Sequence, residues 1–569
     1  MILIPIFSFC FYTGIKGVDF GIHVDEKFLL KSIPLSLSKQ QLLPHWYIYP
    51  SMTYNLGMVS LIPYALNKLS FNSKQSILLG EDNERRTSDS FKEIYTYTQS
   101  HRFKINLRSF FIFISSLSIV WTFLIVLIWR NSTNEAMLAA VLHGSIWEIA
   151  YHSRFLIPDP ILTHFILITL FFIVKYIQDQ NPAFIFLASI FAGLSTSTKY
   201  TGGIILIFII LVYLYGIVTQ KKGNPLHLLS ILFLFSLSFI IITPGSVVEP
   251  LKFIEHVIYE IRHYKYGLMM DPEVPGFKNY KIGHGPNSVS PGLNHFYLVT
   301  SYLALTSFSN YYQISLIFFV FAIFGILKII KEKKMIGVLL ILFPISYILY
   351  MSSQKVMFVR NYLMVIPIFC MFSSIGIFTI RGRIKNNYLS FIMSASIIIM
   401  LIANFSWLYT SAQTINKRNN FSLEKDIDNQ SIDYDYPWPG KWKLNMVMNQ
   451  YKISLVGYIQ KFDDKKFYLT KKVLELIDKS TFEKNKNITN NIQKSDEVIF
   501  FNFEINNPHD STIPRTDRNA FWVANKFNFY KNVAGPEEIN INYFPTFSGD
   551  PRILALPTDQ AIKTFIISQ

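Results

Sequence analysis

Leu107–Trp129 reads LRSFFIFISSLSIVWTFLIVLIW, an apolar run whose one charge, Arg108, stands near its start. A helix needs about 20 such residues to cross the hydrocarbon core of a bilayer. Backbone groups surrounded by lipid must be satisfied within their own segment, so a run of this kind is helical. Comparable runs recur at about 136–151, 161–177, 183–197, 204–218, 226–243, 311–330, 335–350, 363–380 and 388–409. A shorter one, Ile2 to Ile15, opens the chain. It lacks the basic leader and small-residue cleavage site of a signal peptide, so it reads as a span. Its length is consistent with a start upstream of Met1. These runs predict an all-α polytopic membrane protein with about eleven transmembrane helices.

Composition agrees. Of 569 residues 51% are hydrophobic and 16% charged, and Phe (51) and Tyr (32) are abundant. Soluble proteins carry about 25% charged residues. Mean hydropathy is +0.29. The net charge of +16 is read as anchoring of cytoplasmic loops, since no basic nucleic-acid motif accompanies it; no nucleic-acid partner is expected. Cys10 and Cys370 both lie in apolar runs, which excludes a disulfide framework or a cysteine metal site.

The short loops set the orientation. Arg130, Lys221, Lys222, Lys331, Lys333, Lys334, Arg381, Arg383 and Lys385 crowd the loops after the second, sixth, eighth and tenth runs. The positive-inside rule makes those loops cytoplasmic. The loop carrying Asp25, the polar segment 244–310 and everything beyond 410 then lie outside. Between the first two spans, 27–70 is aromatic-rich and reads as one or two interfacial helices, followed by a polar loop, 72–104. Segment 244–310 holds an amphipathic helix, Leu251 to Tyr266, and a loop with Gly283-His284-Gly285-Pro286. The tail from 410 is richer in Asn, Lys and Asp, and Glu497-Val498-Ile499-Phe500-Phe501-Asn502-Phe503 suggests a strand. The expected organisation is a transmembrane domain over 1–409 and a small α/β extracytoplasmic C-terminal domain over 410–569.

This topology gathers Asp25, Glu26, Arg108, His152, Arg154, Asp159, Lys199, His284 and Arg360 at the outer face. Each has a plain structural reading. Asp25 and Glu26 could cap the next helix, and Arg108 and Arg154 could extend to the interface. Pro158-Asp159-Pro160 could start a helix, and His284 could be a turn residue. Lys199 is harder to dismiss, because an outer lysine runs against the positive-inside bias. Charged groups gathered at one membrane face of a charge-poor chain point to a site. A carboxylate there could take the proton of an attacking hydroxyl, while Lys and Arg stabilise a phosphate leaving group. No HExxH, Walker A or nucleophile-elbow motif is present.

The pieces occur in a familiar order. They are His23-Val24-Asp25-Glu26, Tyr49-Pro50-Ser51, Arg108, Ser153-Arg154 with Asp159, Ala192-Gly193-Leu194 with Thr198-Lys199-Tyr200, Gly283-His284-Gly285, and Arg360-Asn361-Tyr362 with Pro367. Together, over about 15–385, they resemble the GT-C glycosyltransferases of the dolichyl-phosphate-mannose protein mannosyltransferase and aminoarabinose transferase type, glycosyltransferase family 39 in the broad sense. The chain departs from that pattern in three places. Val24 stands where Pro is common, the polar insert 72–104 is longer than usual, and Asn361 separates Arg360 from Tyr362.

The resemblance implies a GT-C-like fold and an inverting transferase that takes a sugar from a polyprenyl-phosphate carrier. It implies Asp25 as catalytic base, Glu26 as its neighbour in the acceptor site and Asp159 as a second essential carboxylate. Arg108, Arg154, Lys199, His284, Arg360 and Tyr362 become substrate-binding candidates. No cofactor is specified; some relatives use a divalent metal and others do not. The acceptor would be a protein, lipid or glycan, and the site would face outward from a bacterial inner membrane. The contrasting reading is a transporter or flippase of a lipid-linked sugar, which predicts paired repeats and broken helices at the midplane. No such repeat is present. A structural or sensory membrane protein would need neither Lys199 nor Asp159.

Overall fold

A computed structural model describes residues 3–16, 18, 25–39, 41–79, 92–220, 224–270, 280–282 and 289–419, together with four strands of the tail at 467–469, 488–489, 497–502 and 563–568. Among these residues, six helices are long and apolar enough to cross a bilayer: Arg102–Arg130, Pro158–Asp179, Tyr200–Thr219, Tyr312–Glu332, Met335–Ser352 and Asn387–Thr410. Shorter apolar helices at Leu3–Ile15, Pro182–Thr198, Leu226–Ile242 and Ile366–Arg381 fall on the expected first, fifth, seventh and tenth spans. The chain is a polytopic helical membrane protein.

Several boundaries differ from the sequence reading. The second span begins earlier, at His101, because Ser100 caps it by accepting from the Phe103 N–H at 3.2 Å. The third is broken. Thr133–Gly144 ends at Ser145, and the short helix Trp147–His152 restarts after Ile146, whose backbone is extended. Interfacial helices Glu26–Ser38 and Met52–Leu79 occupy the aromatic-rich segment, the second running on through residues expected to be loop. The amphipathic helix is Pro250–Tyr266, closed by Gly267 in the left-handed region at φ 66°, where glycine carries no penalty. A further helix, Leu293–Leu305, follows it. The last membrane helix, Asn387–Asn419, passes the expected boundary at 409. In the tail, Glu497–Asn502 pairs parallel with Phe467–Leu469 and antiparallel with Lys563–Ser568, and Ile488–Thr489 joins Phe467–Leu469 in parallel.

Lipid is as apolar as leucine, so these helices are held by close packing and by polar contacts rather than by the hydrophobic effect. One close crossing joins Tyr312–Glu332 to Ile366–Arg381. A Cβ on Gly325 would lie 1.9 Å from the Phe372 carbonyl oxygen, and one on Gly376 1.8 Å from that of Phe321. On the last helix, Asn404 supplies the polar contact. Its Nδ2 donates to the Phe308 carbonyl at 2.8 Å and its Oδ1 accepts from Ser309 Oγ at 2.6 Å. Ile398, Ile399 and Ile402 of that helix are exposed, as a lipid-facing surface requires.

The two ends of the bundle differ. At one, Arg130 bridges Glu135 at 2.9 Å and Glu332 at 2.5 Å. The helix Pro158–Asp179 leads away from it, spanning about 33 Å at 1.5 Å per residue, to the end where Asp25, Asp159 and Lys199 lie.

The glycine crossing is testable. Gly376→Val should abolish monodisperse protein in detergent, since backbone oxygen cannot move aside. Gly216→Ala should be tolerated, because its Cβ would meet only the Tyr176 hydroxyl, at 3.4 Å. Size-exclusion profiles of the two variants provide the comparison.

Candidate active site

Asp25 occupies the N-cap position of the helix Glu26–Ser38, yet its side chain makes no capping hydrogen bond. The carboxylate turns instead to the protein interior. Its Oδ2 accepts from the Tyr49 hydroxyl at 2.8 Å and lies 2.9 Å from Arg360 Nη1. The backbone alone does the local turn, through the Phe28 N–H to the Asp25 carbonyl at 3.1 Å. The helix-cap reading of Asp25 therefore does not describe this side chain.

Arg360 sits in a 3-10 turn, Val359–Tyr362, that directs three consecutive side chains to three places. Arg360 reaches Asp25 and also approaches Asp159, with Nε 3.6 Å from Oδ2. Asn361 Oδ1 accepts from Lys199 Nζ at 2.6 Å and from the Tyr264 hydroxyl at 3.2 Å. Tyr362 turns elsewhere: its hydroxyl lies 2.8 Å from His295 Nε2, whose Nδ1 donates to the Gln354 carbonyl. Lys199, at the C-terminal end of the helix Pro182–Thr198, also donates to Asp159 Oδ1 at 2.6 Å. Asp159 lies in the first turn of its helix, after Pro158. The result is a buried cluster of two carboxylates and two cations, Asp25, Asp159, Lys199 and Arg360, in which the formal charges balance. Buried charges are tolerated when paired in this way.

Arg108 and Arg154 hold the chain that carries Asp25. Arg108 grips Glu26 with two nitrogens, Nε to Oε1 at 2.7 Å and Nη2 to Oε2 at 2.6 Å, and donates to the Val18 carbonyl at 2.7 Å. The Leu156 N–H adds a bond to Glu26 at 3.0 Å. Arg154 donates to the Lys16 carbonyl at 2.7 Å and to that of Thr13, satisfying oxygens at the end of the first helix. Burial alone would raise the Glu26 carboxyl. The Arg108 guanidinium, helped by Lys104 and the Leu156 N–H, holds it down to about 2.

Beside Asp25 opens a pocket of about 30 Å³, lined among others by Phe28, Trp46, Tyr49, Ser51 and Tyr54. Trp46 stacks on Phe28 with centroids 5.2 Å apart. Asp25 thus faces the charged cluster on one side and a small aromatic-walled space on the other. The structure brings Asp25, Asp159, Lys199 and Arg360 together, with Glu26 and Arg108 next to them. His152 lies apart, 3.4 Å from Glu148. His284 falls outside the described residues. The sequence reading gave no role to Asn361, Tyr264 or Glu260. Glu260 stands one helical turn before Tyr264. Their shared face was legible in the four-residue spacing, but nothing in the sequence shows what the face meets. The described residues contain no group of three or more His, Cys, Asp or Glu arranged to hold a metal ion.

Removing one partner of a buried ion pair leaves the other charge uncompensated, at a cost of about 3–5 kcal/mol. Glu26→Gln should therefore lower thermal stability sharply. In the wild type the pair's contribution is fully present above the ordinary carboxylate value of 4.5 and is lost as pH falls towards about 2. Melting curves of the two proteins from pH 4 to 8 should run parallel above pH 5, with the variant below.

Residues 85–248 match the family model described as dolichyl-phosphate-mannose-protein mannosyltransferase. That stretch includes Arg108, Arg154, Asp159 and Lys199; Asp25 precedes it and Arg360 follows it. No curated protein matches the chain. Among solved structures, ArnT from Cupriavidus metallidurans bound to undecaprenyl phosphate is similar at 10% identity and a TM-score of 0.46, over 84% of this chain and 83% of that one. The oligosaccharyltransferase AglB from Archaeoglobus fulgidus, in complex with an inhibitory peptide and a dolichol-phosphate, is similar at 10% identity and a TM-score of 0.47, over 93% of this chain and 68% of that one. At such identity neither structure assigns a role to a residue here. Over residues 85–248 the chain is similar to that family, and the rest of the chain lies outside the match.

Proposed function

We propose that the chain is an integral-membrane inverting glycosyltransferase that moves a sugar from a polyprenyl-phosphate carrier to a hydroxyl of a protein, lipid or glycan. The observation that carries this reading is the placement of the Asp25 carboxylate. It does not serve as a helix cap but is held by Tyr49 and Arg360 between a small pocket and a cluster containing Lys199. The family matched over residues 85–248, by its description, supports the donor class.

In this reaction the acceptor hydroxyl enters the pocket and attacks the anomeric carbon from the face opposite the phosphate. Asp25 takes the hydroxyl proton as the new C–O bond forms. A carboxylate is too weak a base to remove that proton beforehand, but it can accept it during bond formation. The bond from the anomeric carbon to the phosphate oxygen breaks, and its electron pair leaves with the phosphate. Lys199 and Arg360 are placed to meet the growing charge, exchanging part of their contact with Asp159 and Asp25 for phosphate oxygens. A single displacement inverts the anomeric centre. Tyr49 fixes the direction of the base.

The site end is opposite the Arg130–Glu332 end. By the positive-inside rule it faces outward, and the composition fits a bacterial inner membrane. Beyond 410 the tail would form an extracytoplasmic domain. An alkaline-phosphatase fusion at Trp438 should be active and one at Lys333 inactive; the reverse pattern would place the site inside.

For the chemistry, Asp25→Asn is the decisive variant. Asparagine preserves size and still accepts from Tyr49, but it is no base. Purified Asp25→Asn should melt below the wild type, because Arg360 loses its 2.9 Å carboxylate partner; assayed at a temperature where both proteins are folded, it should lose about 10²–10⁴-fold in turnover with a polyprenyl-phosphate sugar. Wild-type turnover in this variant would remove Asp25 as the base.

A further inference from the structure

The amphipathic helix Pro250–Tyr266 presents two distinct faces. Leu251, Ile254 and Ile261 are exposed, as suits a helix lying in the membrane interface, whereas His256, Tyr259 and Tyr264 are buried. Residues four apart stack on one face, so Glu260 lies between His256 and Tyr264. Both neighbours are anchored to the site. His256 Nδ1 accepts the Tyr47 N–H at 3.1 Å, two residues from Tyr49, and the Tyr264 hydroxyl donates to Asn361 beside Lys199. Lys199 Nζ lies 5.9 Å over the Tyr264 ring. The half-buried carboxyl of Glu260 is therefore set against the charged cluster. Among the described residues it has no hydrogen-bond or ion-pair partner.

The groups that face it come from several elements. Lys199 and Arg360 attract its charge; Asp25 and Asp159 repel it. Tyr49, Tyr200, Tyr264 and Tyr350 lie within its electrostatic reach. The four charges of the cluster already balance, so an ionised Glu260 would add an uncompensated negative charge where a phosphate must bind. Burial pushes its carboxyl up; Lys199 and Arg360 pull down and Asp25 and Asp159 push up, leaving it at about 8. Burial holds His256 at about 4, so that neighbour stays neutral where Glu260 titrates.

We propose that Glu260 meets the donor as a neutral carboxylic acid and gives a hydrogen bond to an oxygen of the carrier phosphate, so that donor affinity is gated by this one proton. The inference rests on the polyprenyl-phosphate reading above. Ionisation of Glu260 would remove the donor hydrogen and set a second negative charge against the phosphate.

Undecaprenyl methyl phosphate is a suitable probe. It carries no sugar, and its phosphodiester keeps a single charge from pH 7 to 9. Binding to the full chain in detergent is measured by thermophoresis for wild type, Glu260→Gln and Glu260→Ala. If only the protonated form binds, wild-type affinity falls about tenfold from pH 7 to pH 9, in proportion to the competent fraction. Both variants should lose that slope. The glutamine, which still offers an N–H, should bind more tightly than the alanine, and if one variant fails to fold the other still reads the slope. Wild-type binding without a slope, or a slope that survives in the variants, overturns the role of Glu260 and leaves the donor reading standing. No wild-type binding at either pH overturns the donor reading and this inference with it.

Discussion

The two-pronged contact between Arg108 and Glu26 fixes everything that follows it in space. Arg108 rises from the first turns of a membrane helix, and Glu26 begins an interfacial one. Their bonds of 2.7 and 2.6 Å tie the membrane span to the first residue of that helix. A buried pair of this kind adds little net stability over well-packed apolar residues. What it sets here is position, because the planar guanidinium fork allows only one arrangement of the carboxylate. Asp25 precedes Glu26, so the same contact orients Asp25. Arg154 completes the hold by capping the carbonyls of Thr13 and Lys16, so the chain entering the site is fixed from both sides.

The cations of this end fall into two groups by what they touch. Arg108 and Arg154 reach backbone carbonyls and Glu26, and moving either would release the chain that carries Asp25. Lys199 and Arg360 touch Asp25, Asp159 and Asn361. Their partners are side chains that an incoming anion can replace without disturbing a helix end. On the proposed function, cations paired with side chains rather than with helix ends are the ones that a phosphate could draw on.

The spans were legible because lipid imposes one solution, a helix long enough to cross, on any sufficiently apolar run. Boundaries were less so. Ser100 moved the second span outward through a single hydrogen bond, and the break at Ser145 leaves no mark in hydropathy. Asp25, Asp159, Lys199 and Arg360 were singled out by charge at a membrane face, and the structure brings them together. The separate place of Tyr362, and the structural partners of Arg108 and Arg154, depend on side-chain direction, which spacing does not encode. Glu260 was missed because a carboxylate on an amphipathic helix ordinarily faces water. Only the anchoring of His256 and Tyr264 turns that face inward.

Asn361 shows how a departure in sequence can be absorbed by the site. Inserted between Arg360 and Tyr362, it lies in a 3-10 turn whose successive side chains diverge by about 120°. That divergence lets Arg360 face the two carboxylates while Tyr362 meets His295 and Asn361 points to Lys199. An apolar residue at 361 would leave the lysine with Asp159 alone, a closed pair less able to turn to a phosphate. The amide oxygen gives Lys199 a second, neutral acceptor, and the Tyr264 hydroxyl shares it. Lys199 is thereby held between two helices and the turn without a second full negative charge.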